Sequence, residues 1–164
     1  MTRWPRDRKG LGSNGRRGAS DTGQVGGIEV LPFGLLVFVV GSLLVANAWG
    51  VVDAKMAATS AAREAVRAYV EADDAADALV RADRSARAAI DGHGRRGTKA
   101  TVEVRHADDR PYARCTRALV TVRYPVAALT LPFIGGYGDA FEVSATQSEI
   151  VDPYRSGLPG AAEC

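Results

Sequence analysis

Hydrophobic and polar positions along the chain fall into three regimes. The first is a continuous apolar run: from Val30 to Val52 there are 23 residues without a charge. As a helix rising about 1.5 Å per residue, that run is roughly 35 Å long, enough to cross a hydrocarbon core of ~30 Å with some tilt. It predicts a membrane-spanning helix over 28–52. Two other readings compete with it. A buried helix of a soluble domain would need a wrapping that the short, polar remainder of the chain does not supply. A cleaved secretory signal would have a shorter apolar region, and Ala46-Asn47-Ala48 is the nearest small-x-small site.

The second regime has helical period. Residues 53–91 contain neither Gly nor Pro and are rich in Ala, Glu and Arg, all good helix formers. Val66, Tyr69, Val70, Ala76 and Val80 repeat on one face, with Asp73, Asp74, Arg81 and Arg84 largely off it, which predicts a single amphipathic helix over 53–91 continuing from the membrane. Asp91-Gly92-His93-Gly94 is its stop.

From Thr98 the period changes to two. Thr101–Arg105 alternates. In Ala118–Tyr124, Val120, Val122 and Tyr124 oppose Leu119, Thr121 and Arg123. In Phe141–Gln147, Phe141, Val143 and Ala145 share a face. These are three predicted strands within 98–152. Pro125–Asp139 is a predicted connection whose apolar piece packs under the sheet or near the membrane surface, and Pro153–Gly160 is a turn-rich tail. The fold class is therefore α+β: an N-terminal transmembrane helix, a long amphipathic helix, and a small antiparallel sheet of about three strands packed on that helix.

Charge sets the expected topology. Residues 1–27 carry Arg3, Arg6, Arg8, Lys9, Arg16 and Arg17 against Asp7 and Asp21. This Gly- and Arg-rich stretch reads as a disordered cytoplasmic leader. Positive flanks stay inside, so the N-terminus is expected in the cytoplasm and the 53–164 module outside. The basic leader also suits anionic membrane lipid. Residues 53–164 are almost electrically balanced, which argues against a nucleic-acid face.

Cys115 and Cys164 both fall on the expected outer side, where an even pair is most simply a disulfide. Two free thiols, or a Cys164 directed at a partner, are the alternatives. His93 and His106 are the only histidines, at no metal-ligand spacing, so no metal or other cofactor is expected. No nucleophile elbow or phosphate-binding glycine signature occurs, and the chain is not expected to be an enzyme. Glu29 stands just inside the apolar run. It is either an interfacial anion favoured by the helix N-terminus or an assembly contact neutralised by a neighbour's cation. Pro32 suits the first turn of a helix, and Gly34, Gly41 and Gly50 leave room for a neighbouring helix.

Residues 22–152 resemble the TadE-like family of tight-adherence (Tad) pilus assembly, which follows the type IV pilin-like plan. The resemblance is carried by Gly23-Gln-Val-Gly-Gly-Ile-Glu29, the apolar run after it, Ala-Ala-Arg-Glu-Ala-Val-Arg at 61–67, and Val-Thr-Val-Arg-Tyr-Pro at 120–125. It implies a prepilin peptidase that cuts after the leader Gly23. It also implies a Glu29 that pairs, within the membrane, with the freed amine of a neighbouring subunit. Two departures stand out: Glu29 lies six rather than five residues past Gly23, and Val30 occupies a place where an aromatic is frequent. The resemblance implies a non-enzymatic pseudopilin-like protein of the bacterial cytoplasmic membrane, with other pilin-like subunits or pilus assembly proteins as partners. The alternative is a single-pass envelope protein whose outer module binds a partner or ligand, with no filament role.

Overall fold

The computed structural model describes residues 26–131, 134–161 and 163–164. The leader up to residue 25, Gly23 included, lies outside the described residues. Residues up to Val39 form one unit and Val40–Cys164 a second.

Helix α1 runs from Gly26 to Val70 without interruption, 45 residues. It begins two residues before the predicted start, so Pro32 sits in the second turn and not the first, and costs one main-chain hydrogen bond there. Its residues from Val30 to Val40 are all exposed. From Ala54 onward one stripe is buried instead: Ala54, Ala57, Ala58, Ala61, Ala62, Ala65, Val66, Tyr69 and Val70. That is the i, i+3, i+4 repeat of a helix with a single covered face. Six of these nine positions are Ala, which fills a narrow space and loses no side-chain entropy.

The expected single helix over 53–91 is two helices. α1 ends at Val70, and α2 spans Ala75–Gly92. Asp74 is the physical cause of the restart: its carboxylate accepts from the N–H groups of Ala76 and Asp77, both at 2.9 Å, as an N-cap does. The last carbonyls of α1 are taken up by tertiary donors. The Tyr112 hydroxyl donates to Ala72 O at 2.7 Å and lies 3.1 Å from Tyr69 O, and Arg155 donates to Glu71 O and, at 3.0 Å, to Asp73. The break also rotates the face that α2 buries. Ala78, Ala82, Ala86 and Ile90 face the core, whereas Ala76 is exposed and Val80 is 54% exposed, contrary to the predicted stripe. α2 stops where expected. Gly94 takes a positive φ of 70°, and Arg95 N–H reaches back to Ile90 O at 3.3 Å.

The sheet is antiparallel, in the order β1 (Thr101–His106), β2 (Arg117–Leu131), β3 (Gly135–Ile150). β2 alternates as expected: Val120, Val122 and Tyr124 are buried, with Leu119, Thr121 and Arg123 on the other side. On β3, Val143 and Ala145 are buried but Phe141 is 56% exposed. The strands are longer than predicted, because β2 continues through Pro125 to Leu131 and β3 already begins at Gly135. The expected 125–139 connection is thus mostly a hairpin. Pairing with β1 stops at Thr101 opposite Arg123, so Pro125 lies where β2 has a neighbour on one side only, and its missing N–H is tolerated.

One sheet face joins the buried stripes of α1 and α2 in a single core. The other face is polar. Glu103 accepts from Arg105 at 2.7 Å and pairs with Arg123 at 3.2 Å, and the Thr121 and Thr146 hydroxyls meet at 2.8 Å. Tyr112→Phe removes the hydroxyl that caps α1 while keeping the ring. It is expected to cost about 1–2 kcal/mol in denaturant unfolding, the range for losing a buried hydrogen bond.

Candidate functional site

No side-chain constellation dominates the described residues, so the candidate site is a set of surfaces and clamps along α1. The apolar segment is the first. Val30, Leu31, Phe33, Leu35, Leu36, Val37 and Phe38 are all more than half exposed, and a Cβ added at Gly34, Gly41 or Gly50 would meet no neighbour within 4 Å. By length and composition this helix can cross a membrane. Glu29 belongs to α1, but its side chain lies outside the described residues, as does Gly23 entirely. Their expected partnership with a neighbouring subunit is not a contact within this chain.

The second feature is the grip of the β-sheet module on α1. Asn47 sits in the uncharged run. Its Oδ1 accepts from Thr130 N–H at 2.6 Å, and its Nδ2 donates to Leu43 O at 2.8 Å and to Thr130 O at 3.4 Å. One helical turn on, Arg95 donates from Nη2 to Gly50 O at 2.9 Å and to Asp53 Oδ2 at 2.7 Å, and its guanidinium lies 5.7 Å from the Tyr124 ring centre. Lys55 donates to Ser144 O on β3. Asn47, Thr130, Gly50, Asp53 and Arg95 border a cleft of about 370 Å³ that His93 also lines. The sequence reading gave Asn47 no role beyond a cleavage site. The available signal was a lone amide in an otherwise apolar stretch, where an unpaired polar group is costly.

The third feature lies at the far end of α1. Tyr69 and His106 share a hydrogen bond, Oη to Nε2, at 2.6 Å, and Tyr69 meets Tyr112 edge to face with ring centres 5.3 Å apart. His106, read as a residue following a strand, closes β1 and holds this cluster. Burial, then the neighbouring Tyr112, pushes the Tyr69 phenol above its ordinary range. Burial likewise raises Tyr112, against the opposing pull of Arg155. On the sheet surface, the Arg105 hydrogen bond and charge hold Glu103 below the usual carboxylate range.

The fourth is the cysteine pair. The Cys115 and Cys164 sulfurs are 2.10 Å apart, at disulfide distance, with a sequence separation of 49. Cys115 takes a positive φ of 65°, and its N–H donates to Val151 O at 3.0 Å. Arg114 N–H donates to Pro159 O at 2.9 Å, so the C-terminal segment is held against the 111–116 loop at several points. Among the described residues, no three His, Cys, Asp or Glu side chains gather as a metal site.

Comparison with protein-family models, with curated proteins and with solved structures finds no match.

Two predictions follow from these clamps. Because the folded pKa values of Tyr69 and Tyr112 are raised, the stability they contribute is fully present below the unfolded tyrosine value near 10.0 and is lost as pH rises through the higher folded values. A tyrosinate absorbance titration of wild type against Tyr69→Phe and Tyr112→Phe should show these two ionising above the ordinary tyrosine range, together with unfolding; ionisation within that range would remove the effect. Reduction of the Cys115–Cys164 pair should lower unfolding stability by about 4 kcal/mol, the chain-entropy value for a loop of this length. Chemical denaturation with and without reductant reads it directly.

Proposed function

We propose that this chain is a non-enzymatic, single-pass protein of the bacterial cytoplasmic membrane, pseudopilin-like, that takes part in assembling a Tad-type pilus or a related secretion apparatus. The observation that carries the reading is α1 itself. One 45-residue helix is apolar and uncovered from Val30 to Val40 and buried on a single stripe from Ala54 onward. The uncovered part of such a helix offers an apolar surface to lipid and to neighbouring helices.

The basic leader supports an N-terminus inside and the module outside. A paired Cys115 and Cys164 suit the oxidising side. Glu29 at the start of the apolar helix supports assembly, because a carboxylate there is expensive in lipid unless a neighbouring cation meets it. Cleavage after Gly23 would supply that cation as a new α-amine. The partners are then membrane lipid, other pilin-like subunits or assembly proteins, and a prepilin peptidase.

The intact mass of the membrane-extracted chain, with its N-terminal residue identified, tests the reading. Loss of residues 1–23 is the expected result. Glu29→Gln is expected to leave membrane insertion unchanged and to abolish co-isolation with other pilin-like subunits. A full-length chain whose co-isolation is indifferent to Glu29→Gln would instead identify a single-pass envelope protein without a filament role.

A further inference from the structure

The β2–β3 hairpin carries an apolar end that the core does not use. Between Arg123 and Asp139 there is no charged residue. Beyond the point where β1 stops pairing, this stretch forms the free end of the two-stranded ribbon. Ile134, Tyr137 and Phe141 there are 66%, 54% and 56% exposed. Large apolar side chains left exposed along one uncharged stretch of a small domain mark a surface with a partner.

The direction of the strands says where that end stands. β2 runs antiparallel to the second half of α1. At its start, Ala118 pairs with His106, which is bonded to Tyr69; near its end, Thr130 is bonded to Asn47. β2 ends at Leu131 and β3 sets out from Gly135, so this end of the ribbon lies past the point where β2 has reached the uncharged part of α1.

Helix length then fixes the level of the lipid. A hydrocarbon core needs about 20 helical residues. Only 17, Val30–Ala46, separate Glu29 from Asn47, roughly 25 Å at 1.5 Å per residue. A bilayer that begins just past Glu29 therefore reaches to about Gly50, which includes the turn of α1 to which the hairpin is bonded. The chemistry of that turn agrees. In lipid a polar group must be satisfied internally, and Asn47 is bonded both to Leu43 O within its own helix and to the Thr130 main chain.

We propose that Ile134 and Tyr137, at the end of the β2–β3 ribbon, make a second membrane contact, seated in the boundary between headgroups and acyl chains. Its partner is the lipid interface itself. Tyr137 suits that depth, with an apolar ring and a polar hydroxyl. Because 124–138 holds no charge, the contact is apolar, and it is independent of anionic lipid and of salt. The hairpin and α1 together then restrain the tilt of the outer module against the membrane. The proposal rests on the membrane reading of α1.

The test uses the full chain in phosphatidylcholine vesicles, with Trp4 and Trp49 replaced by Phe and one tryptophan introduced at a time. Ile134→Trp and Tyr137→Trp probe the hairpin, Phe38→Trp the apolar run, and Ser148→Trp the exposed far part of β3. Lipids carrying a quencher either near the headgroup or deep in the acyl chain read depth. The two hairpin probes should lose most of their emission to the shallow quencher, in high and low salt alike. Phe38→Trp should respond to the deep one and Ser148→Trp to neither. Hairpin probes that behave like Ser148→Trp while Phe38→Trp is quenched would overturn the proposal and leave the membrane helix standing. An unquenched Phe38→Trp would overturn the membrane reading and the proposal with it.

Discussion

Helix α1 has to satisfy two surroundings along one uninterrupted backbone, and the rest of the fold follows from how it does so. Its main-chain groups are paired within the helix, so the segment needs no outside partner for its backbone. The side chains alone then decide what surrounds each part. From Val30 to Val40 they are apolar and uncovered. From Ala54 they are apolar on one stripe, and that stripe is short-chained. The sheet and α2 close over it with Val120, Val122, Tyr124, Val143 and Ile90 supplying the bulk that Ala omits.

Ending such a helix inside a small module is the next problem, because its last carbonyls need donors. Here the donors come from far along the chain. Tyr112 serves the carbonyls of Tyr69 and Ala72 and Arg155 that of Glu71, and Asp74 restarts the chain as α2. The loop that brings Tyr112 is in turn held by the Cys115–Cys164 pair and by the Thr116–Val151 and Arg114–Pro159 hydrogen bonds. The end of α1 is therefore fixed by the C-terminal third of the chain. Loss of the cysteine link would be felt at the helix end as well as at the chain end.

At the other end of the module, Asn47, Arg95 and Lys55 tie the sheet and the α2–β1 connection to α1 over about two turns of helix. All three grips use main-chain acceptors or donors, which hold position whatever the neighbouring side chains are. The pseudopilin-like reading relies on this rigidity only indirectly. Its specific residues, Gly23 and Glu29, would act on other molecules.

Local pattern alone determined a good deal of this protein. The uncharged run predicted α1 because any long apolar stretch must satisfy its own backbone. The period-two segments predicted β1, β2 and β3 because half-buried strands alternate. Asp91-Gly92-His93-Gly94 marked the end of α2 through glycine's access to positive φ. Tertiary structure decided the rest. Residues 53–91 have helical propensity throughout, so the break at Glu71–Asp74 came from the Tyr112 and Arg155 donors together with the Asp74 cap. Pro125 looked like a strand end, and is tolerated because β1 has already stopped beside it. Asn47 stood out only as a lone amide in an apolar run, and neither it nor Arg95 revealed its partner, since a hydrogen bond across 83 or 42 residues leaves no trace in the residues next to either end.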